Sequence, residues 1–259
     1  MEAGISVAVL REDQNHPLVS GNKWWKLRPY LELAIATEKP MVTFGGPWSN
    51  HIYATAAACK VAGIKSFGII RGEKPPELSA TLRFAETCGM RLEFVSRESY
   101  RQKDSPEFRS RLRESYGDCL IVPEGGSGPE AVRHCETWGR KIAAANAFDV
   151  ICLPVGTGGT FAGMLRGIPE GRRVIGFPAL KDGGFLKGPI QELAGNSCGN
   201  WELVTDYHFG GYGKVPAELI AFIREMQLQY QLLLDAVYTA KMFWGIIDRK
   251  STRLNSSHT

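Results

Sequence analysis

Short runs of β-branched and other apolar residues alternate along most of this chain with stretches whose apolar positions recur at helical spacing. Met41–Phe44, Lys65–Ile70, Arg91–Val95, Cys119–Val122 and Arg173–Phe177 read as strands, Val150–Val155 as a buried strand, and Ile5–Leu10 as an earlier one. Trp25–Ala36, Asn50–Val61, Glu77–Thr87, Pro106–Ser115, Pro129–Ala145 and Thr160–Arg166 read as the helices between them. Parallel strands need crossovers, usually helical, so this βαβα order predicts an α/β fold with mainly parallel sheets flanked by helices. From Lys181 to Val215 the pattern loosens and turns Gly-rich; Pro216–Gln229 and Val237–Arg249 then return to helical periodicity. Ser251–Thr259 is polar and aperiodic, and is read as a non-native appendage rather than a disordered native terminus.

Composition narrows the classes without choosing one. The 259 residues are 44% apolar and 22% charged, ordinary for a soluble globular chain, and suit one large or two modest domains. A net charge of +4, with no basic stripe interleaved with aromatics, argues against a nucleic-acid partner. There is no apolar run of about 18 residues for a membrane span, and Met1–Gly4 lacks the shape of a signal peptide. Six spaced cysteines, Cys59, Cys88, Cys119, Cys135, Cys152 and Cys198, form no C-x-x-C pair, which predicts reduced, mostly buried thiols in a cytoplasmic protein. Nor does any His, Asp or Glu cluster show metal-ligand spacing, so no catalytic metal is expected.

Chemistry concentrates in four stretches. In Ser20-Gly21-Asn22-Lys23, turn and cap formers lead into a helix, so Lys23 sits near a helix start. That position disfavours a cation unless a phosphate lies nearby, and a site against Trp24 and Trp25 would depress the amine's pKa. Read from these residues alone, Lys23 is better taken as a solvated surface lysine. Gly45-Gly46-Pro47-Trp48-Ser49-Asn50-His51 places Ser49 and Asn50 at a helix N-terminus, where they can cap the helix, bind a carboxylate or ring oxygen, or both. Gly156-Thr157-Gly158-Gly159-Thr160 joins a strand to a helix and makes an anion cradle suited to phosphate. It is no P-loop, and Phe161 stands where a dinucleotide fingerprint needs its third glycine. Tyr207, His208 and Tyr212 share a loop with Gly210, Gly211 and Gly213, and Tyr238 begins the last helix; these rings either pack or line a pocket. His51 reads as a packed, satisfied histidine.

Together the stretches resemble the D-cysteine desulfhydrase and 1-aminocyclopropane-1-carboxylate (ACC) deaminase family, in the tryptophan-synthase-β-like group of pyridoxal-phosphate (PLP) enzymes. The likeness runs from about Val7 to Arg249 and includes Arg11-Glu12-Asp13, SGNKWWKL, FGGPWSNHIYATAAA, VPEGG at Val122–Gly126, PVGTGGTFAG, DYHFGGYGK and LDAVYTAKM, in the family's order. The resemblance implies a two-domain PLP fold type II. Residues 1–40 and 124–250 would form the larger, PLP-binding domain and 41–123 the smaller α/β domain, with 251–259 outside both. It implies that Lys23 holds the cofactor, that Ser49 contacts the substrate carboxylate or acts near the amino acid, and that Asn50 contacts the ring hydroxyl. Gly156, Thr157, Gly158, Gly159 and Thr160 would bind the phosphate, and Tyr212 and Tyr238 would line the substrate side.

The implied reaction uses PLP as an electron sink and the Lys23 amine as proton acceptor. D-cysteine would give pyruvate, hydrogen sulfide and ammonia; ACC would give 2-oxobutanoate and ammonia. Family deaminases carry Glu directly after the second tyrosine, where this chain has Thr239, which favours D-cysteine. The family also implies a small amino-acid substrate and a homodimer. Two departures stand out: Ala236 and Ala240 replace the Pro and Gly usual around Tyr238, and the family's later strand with a Thr-Gly-Gly turn has no counterpart after Arg249. The expectation drawn from these is a chain cut short, with an inactive PLP-binding remnant as the competing reading.

Overall fold

The computed structural model describes residues 6–195 and 199–256, with side chains through Arg249. Its packing divides the chain into two compact units, one of Arg11–Cys135 and one of Met1–Leu10 with Glu136–Thr259. The sequence reading instead gives residues 11–40 and 124–135 to the larger domain.

In the first unit, β1 (Met41–Gly45), β2 (Ser66–Arg71), β3 (Arg91–Val95) and β4 (Leu120–Val122) form a parallel sheet of order β3-β2-β1-β4. Register runs from Met41↔Ser66 on one side of β1 to Met41↔Leu120 on the other. β1 lies inside the sheet and is buried at all five positions, which explains its unbroken apolar run around Thr43. The helices are α1 (Asn22–Thr37), α2 (Asn50–Ala62), α3 (Ala80–Thr87), α4 (Arg97–Arg101), α5 (Pro106–Tyr116) and the first turns of α6 (Pro129–Ala145). Serines start several of them: the side chains of Ser49, Ser79, Ser96 and Ser105 accept hydrogen bonds from the backbone N–H three residues on. Ser79 sets the start of α3 at Ala80, later than the Glu77 expected. The alanine-rich face of α2 (Ala54, Ala57 and Ala58) packs with Leu27 and Val19, small side chains letting α1 come close.

In the second unit, β5 (Val150–Val155), β6 (Arg173–Pro178) and β7 (Trp201–Leu203) form a parallel sheet of order β5-β6-β7. β5 was expected to be buried, but only Val155 is, because β5 is an edge of this sheet. α7 (Gly159–Gly167) and α8 (Lys187–Ala194) cover one side, where Val155, Phe161, Leu165 and Ile190 share a core. α9 (Ala217–Tyr230) and α10 (Thr239–Ser256) pack through Leu219, Met226 and Phe243.

Two expectations need correction. Ser6–Leu10 forms no strand among the described residues: Val7, Val9 and Leu10 are exposed, and no neighbouring strand covers them. α8 and β7 lie inside the Gly-rich stretch that showed no clear period. The backbone of Ser251–Ser256 continues α10, while Ile5, Cys198 and Ser257–Thr259 lie outside the described residues. No helix among the described residues is long and apolar enough to cross a membrane.

Candidate active site

The first group of expected site residues belongs to the first unit. Gly21, at φ 62°, turns the chain into α1 and serves as its N-cap without a side-chain cap. Lys23 follows as the second helical residue and is half-buried, not the solvated lysine its local sequence favours. Its neighbours fix the helix start: the Trp25 indole donates to Glu12 Oε2 at 3.0 Å, and Trp24 stacks on His16 with ring centroids 5.1 Å apart.

One turn further on the same face stands Lys26, 1% exposed. Its Nζ donates to the Ser127 hydroxyl at 2.7 Å. Burial, and then repulsion from Lys23, hold this amine well below the usual lysine pKa, with Cys135 acting in the opposite direction. A buried lysine whose hydrogen-bond partner is a neutral hydroxyl is a seat for an incoming anion.

His51, 2% exposed in the first turn of α2, completes this group. Its Nε2 lies 2.7 Å from Thr43 Oγ1, and that hydroxyl donates to the Val122 carbonyl at 3.1 Å. Nδ1 is buried and has no hydrogen-bond partner, so the histidine is packed but only half satisfied. The turn at Glu124–Gly126 closes over it. A Cβ on Gly126, whose φ is +66°, would stand 3.3 Å from His51 Cε1 and 3.6 Å from both His51 Nδ1 and Lys26 Cβ. Only glycine allows both the left-handed backbone and that approach. Ser49 caps α2 by accepting from Ile52 N at 3.3 Å, and Asn50 is its first residue. The capping reading of this turn is the one observed; binding a carboxylate at the same N-terminus would be compatible with it.

The second group belongs to the second unit. β5 delivers the chain to Gly156, and α7 begins at Gly159 after an N-cap, Gly158, at φ 86° without a side-chain cap. A Cβ there would lie 2.8 Å from Ile190 Cγ1. The turn therefore offers backbone N–H groups at a helix start, beside Thr157 and Thr160, in the form suited to a phosphate. Tyr238 lies against it: a Cβ on Gly156 would stand 3.1 Å from the Tyr238 ring. Tyr212 meets Tyr238 edge to face at 6.1 Å between centroids. Tyr207, by contrast, donates to Asp248 Oδ2 at 2.7 Å and packs against Gly245, a structural role on α10.

Two residues that sequence reasoning did not single out hold this wall. Asp235 Oδ1 accepts from the N–H groups of Val237 at 2.9 Å and Tyr238 at 2.7 Å, while Thr239 Oγ1 accepts from Asp235 N at 2.7 Å. Lys241, buried, donates to the carbonyls of His208 at 2.9 Å and Gly211 at 2.8 Å, tying the Tyr212 loop to α10. The Asp-x-x-x-Thr spacing was a readable signal for the first. Lys26 could have been found as the i+3 neighbour of Lys23. Nothing in the local sequence marks Lys241.

In the first unit Lys23 and Lys26 supply an amine and an anion seat; in the second, the uncapped Gly turn supplies a seat for a phosphate. An amine and a phosphate seat are the two groups that a phosphorylated carbonyl compound needs. Over residues 2–257 the chain matches the protein family described as "Pyridoxal-phosphate dependent enzyme". It is 30% identical, over 95% of its length and 80% of the relative's, to a Pyrococcus furiosus protein named "Putative 1-aminocyclopropane-1-carboxylate deaminase". It is 27% identical, over 95% of its length and 67% of the relative's, to an Arabidopsis thaliana protein named "Bifunctional D-cysteine desulfhydrase/1-aminocyclopropane-1-carboxylate deaminase, mitochondrial". A crystal structure of an ACC deaminase homologue superposes with a TM-score of 0.75 at 25% identity, covering 94% of this chain and 79% of the other.

Proposed function

This chain belongs to the pyridoxal-phosphate-dependent enzymes, with their fold type II, and from that premise we propose that it is a lyase of small amino acids acting on D-cysteine, with Lys23 as the cofactor lysine. The observation that carries the reading is the pairing of Lys23 with the buried, acid-free Lys26 on one face of α1.

Bound PLP supplies the electron sink that makes an amino acid's Cα–H acidic. Gly156, Thr157, Gly158, Gly159 and Thr160 would hold its phosphate. Asn50 would meet the ring hydroxyl, and Ser49 with the α2 N-terminus the substrate carboxylate. The Lys23 amine would take the Cα proton. Tyr212 and Tyr238 line the substrate side and exclude water. The overall change consumes D-cysteine and one water and releases pyruvate, hydrogen sulfide and ammonia.

ACC deamination to 2-oxobutanoate is the second reading, favoured by the names of the relatives. Thr239 speaks for D-cysteine, since it brings no carboxylate and its hydroxyl is engaged with Asp235. The deciding experiment is a side-by-side assay of keto acid and sulfide with D-cysteine, L-serine and ACC, on wild type and Lys23→Ala. Borohydride reduction followed by peptide mass spectrometry should place PLP on Lys23. Sulfide release that survives Lys23→Ala would sink the assignment; PLP binding without turnover would identify the inactive remnant. A homodimer and a cytoplasmic location complete the proposal, the first checked by light scattering.

A further inference from the structure

The chain passes from β1 into α2 through a turn that α3 holds from outside. Gly46 O accepts from Ser49 N at 3.1 Å, closing a four-residue turn with Pro47 in its second place, which the fixed φ of proline suits. That bond uses the Gly46 carbonyl and leaves the Pro47 carbonyl on the outside of the turn, where it needs a donor of its own. The Ser79 hydroxyl supplies one, reaching across from the start of α3. The Pro47–Trp48 peptide is the part of such a turn that can swing, and swinging it drives the third residue toward the left-handed region. Trp48 has no left-handed backbone, so the peptide stands in one orientation, with Ser79 bonded to it. The neighbours leave the turn little other room. A Cβ on Gly45 would stand 2.8 Å from Ser49 Oγ, and one on Gly46 would stand 3.4 Å from Arg71 Nη2.

Ser79 stands on a firm mount. Its Oγ also accepts from Leu82 N at 3.2 Å, so one hydroxyl caps α3 and donates to the turn at the same time. Leu82 and Ala85 are buried and share a core with Ile52 and Ala56 of α2. The helix that carries the donor thus packs on the helix whose start the donor sets, which is how a site is kept in register. Ser49 comes directly after Trp48, and its own Oγ accepts from Ile52 N at 3.3 Å. We propose that Ser79 is a positioning residue for Ser49: by holding the Pro47 carbonyl it fixes the turn that presents the Ser49 hydroxyl and the N-terminus of α2. The consequence for turnover rests on the reading of Ser49 as a contact for the substrate carboxylate; the fixing of the turn does not.

Three substitutions separate the cap of α3 from the tether on the turn. Ser79→Asp keeps a good N-cap acceptor but has no hydrogen to donate to the Pro47 carbonyl. Ser79→Thr keeps both bonds. Ser79→Gly, an N-cap only slightly weaker than serine, has no hydroxyl and takes the place of Ser79→Asp if that variant fails to fold. Hydrogen exchange followed by mass spectrometry, on protein without added cofactor, reads the turn directly. Amides from Trp48 to Ile52 should exchange roughly fivefold faster in Ser79→Asp and Ser79→Gly than in wild type, and at the wild-type rate in Ser79→Thr. The amides of α3 should stay as protected in Ser79→Asp as in wild type. Exchange at the turn as slow in Ser79→Asp or Ser79→Gly as in wild type overturns the inference. Equal loosening of α3 in Ser79→Asp would make the effect a lost cap and count against the tether. In turnover, Ser79→Asp should raise KM for the amino acid about fivefold with kcat little changed, and Ser79→Thr should behave as wild type. A loosened turn with an unmoved KM overturns the positioning role. Wild type that turns over neither D-cysteine nor ACC would refute the reading of the reaction alone and leave the exchange result to decide the tether.

Discussion

Burying a lysine without an acid beside it costs stability, and Lys26 is buried almost completely. Its folded pKa lies well below 10.5, so between the two values the unfolded chain binds more protons than the folded one. Stability then rises as pH climbs toward 10.5. Lys26→Met should flatten that rise, stabilise the cofactor-free protein at neutral pH by on the order of 1 kcal/mol, and weaken PLP binding. Thermal melts across pH and a PLP titration check both halves. His51 obeys the same rule in another window. Its folded pKa is well below 6.5, so stability present above pH 6.5 is lost on acidification, at most about 1.36 kcal/mol per pH unit for one proton. Denaturant titrations should show that acid slope reduced in His51→Gln. A steeper slope in the variant would contradict the burial argument. The helix starts that carry Lys23, Ser49 and Asn50, and the Gly156–Thr160 turn, were legible in sequence because turn residues mark each of them. Lys26 and the buried Nδ1 of His51 were not, since lysine and histidine show their burial only once three elements close around them.

At the scale of elements, the loop before α10 is built by one reciprocal set of side-chain bonds. Asp235 organises the N–H groups of Val237 and Tyr238, and Thr239 returns to Asp235. Asp235→Ala should cost about 0.5–2 kcal/mol, the range for a lost cap. Because Tyr238 hangs on the same turn, the variant should also raise KM for the amino acid. Equilibrium unfolding and steady-state kinetics measure the two effects. Helices and strands were readable wherever serine caps or β-branched runs marked them. The failures share a cause. Ser6–Leu10 has the right alternation but no sheet to join; β5 has a buried strand's composition yet lies at an edge. α8 is short and β7 has three residues, too few for a period to emerge among the glycines around them.

For the molecule as a whole, a bound cofactor should report on the stability of the folded state. At one hundred times its Kd, a ligand that binds only the folded state adds about 2.7 kcal/mol. PLP should raise the melting temperature of wild type by roughly 2–4 °C for each kcal/mol gained, and inorganic phosphate should compete with it. Lys23→Ala should retain only part of the shift. No shift in wild type would argue against PLP binding.

The Lys241 clip carries one more consequence, for anyone reshaping this wall to accept a different amino acid. Its ammonium bonds two carbonyls of the loop that presents Tyr212, and it stands on the helix that Tyr238 precedes. The two aromatic rings therefore share a mount. Libraries that vary Tyr212 and Tyr238 one at a time will be reading a single coupled feature, and their effects will not add. Screening the pair together, with Lys241 left in place, is the economical way to search for new specificity.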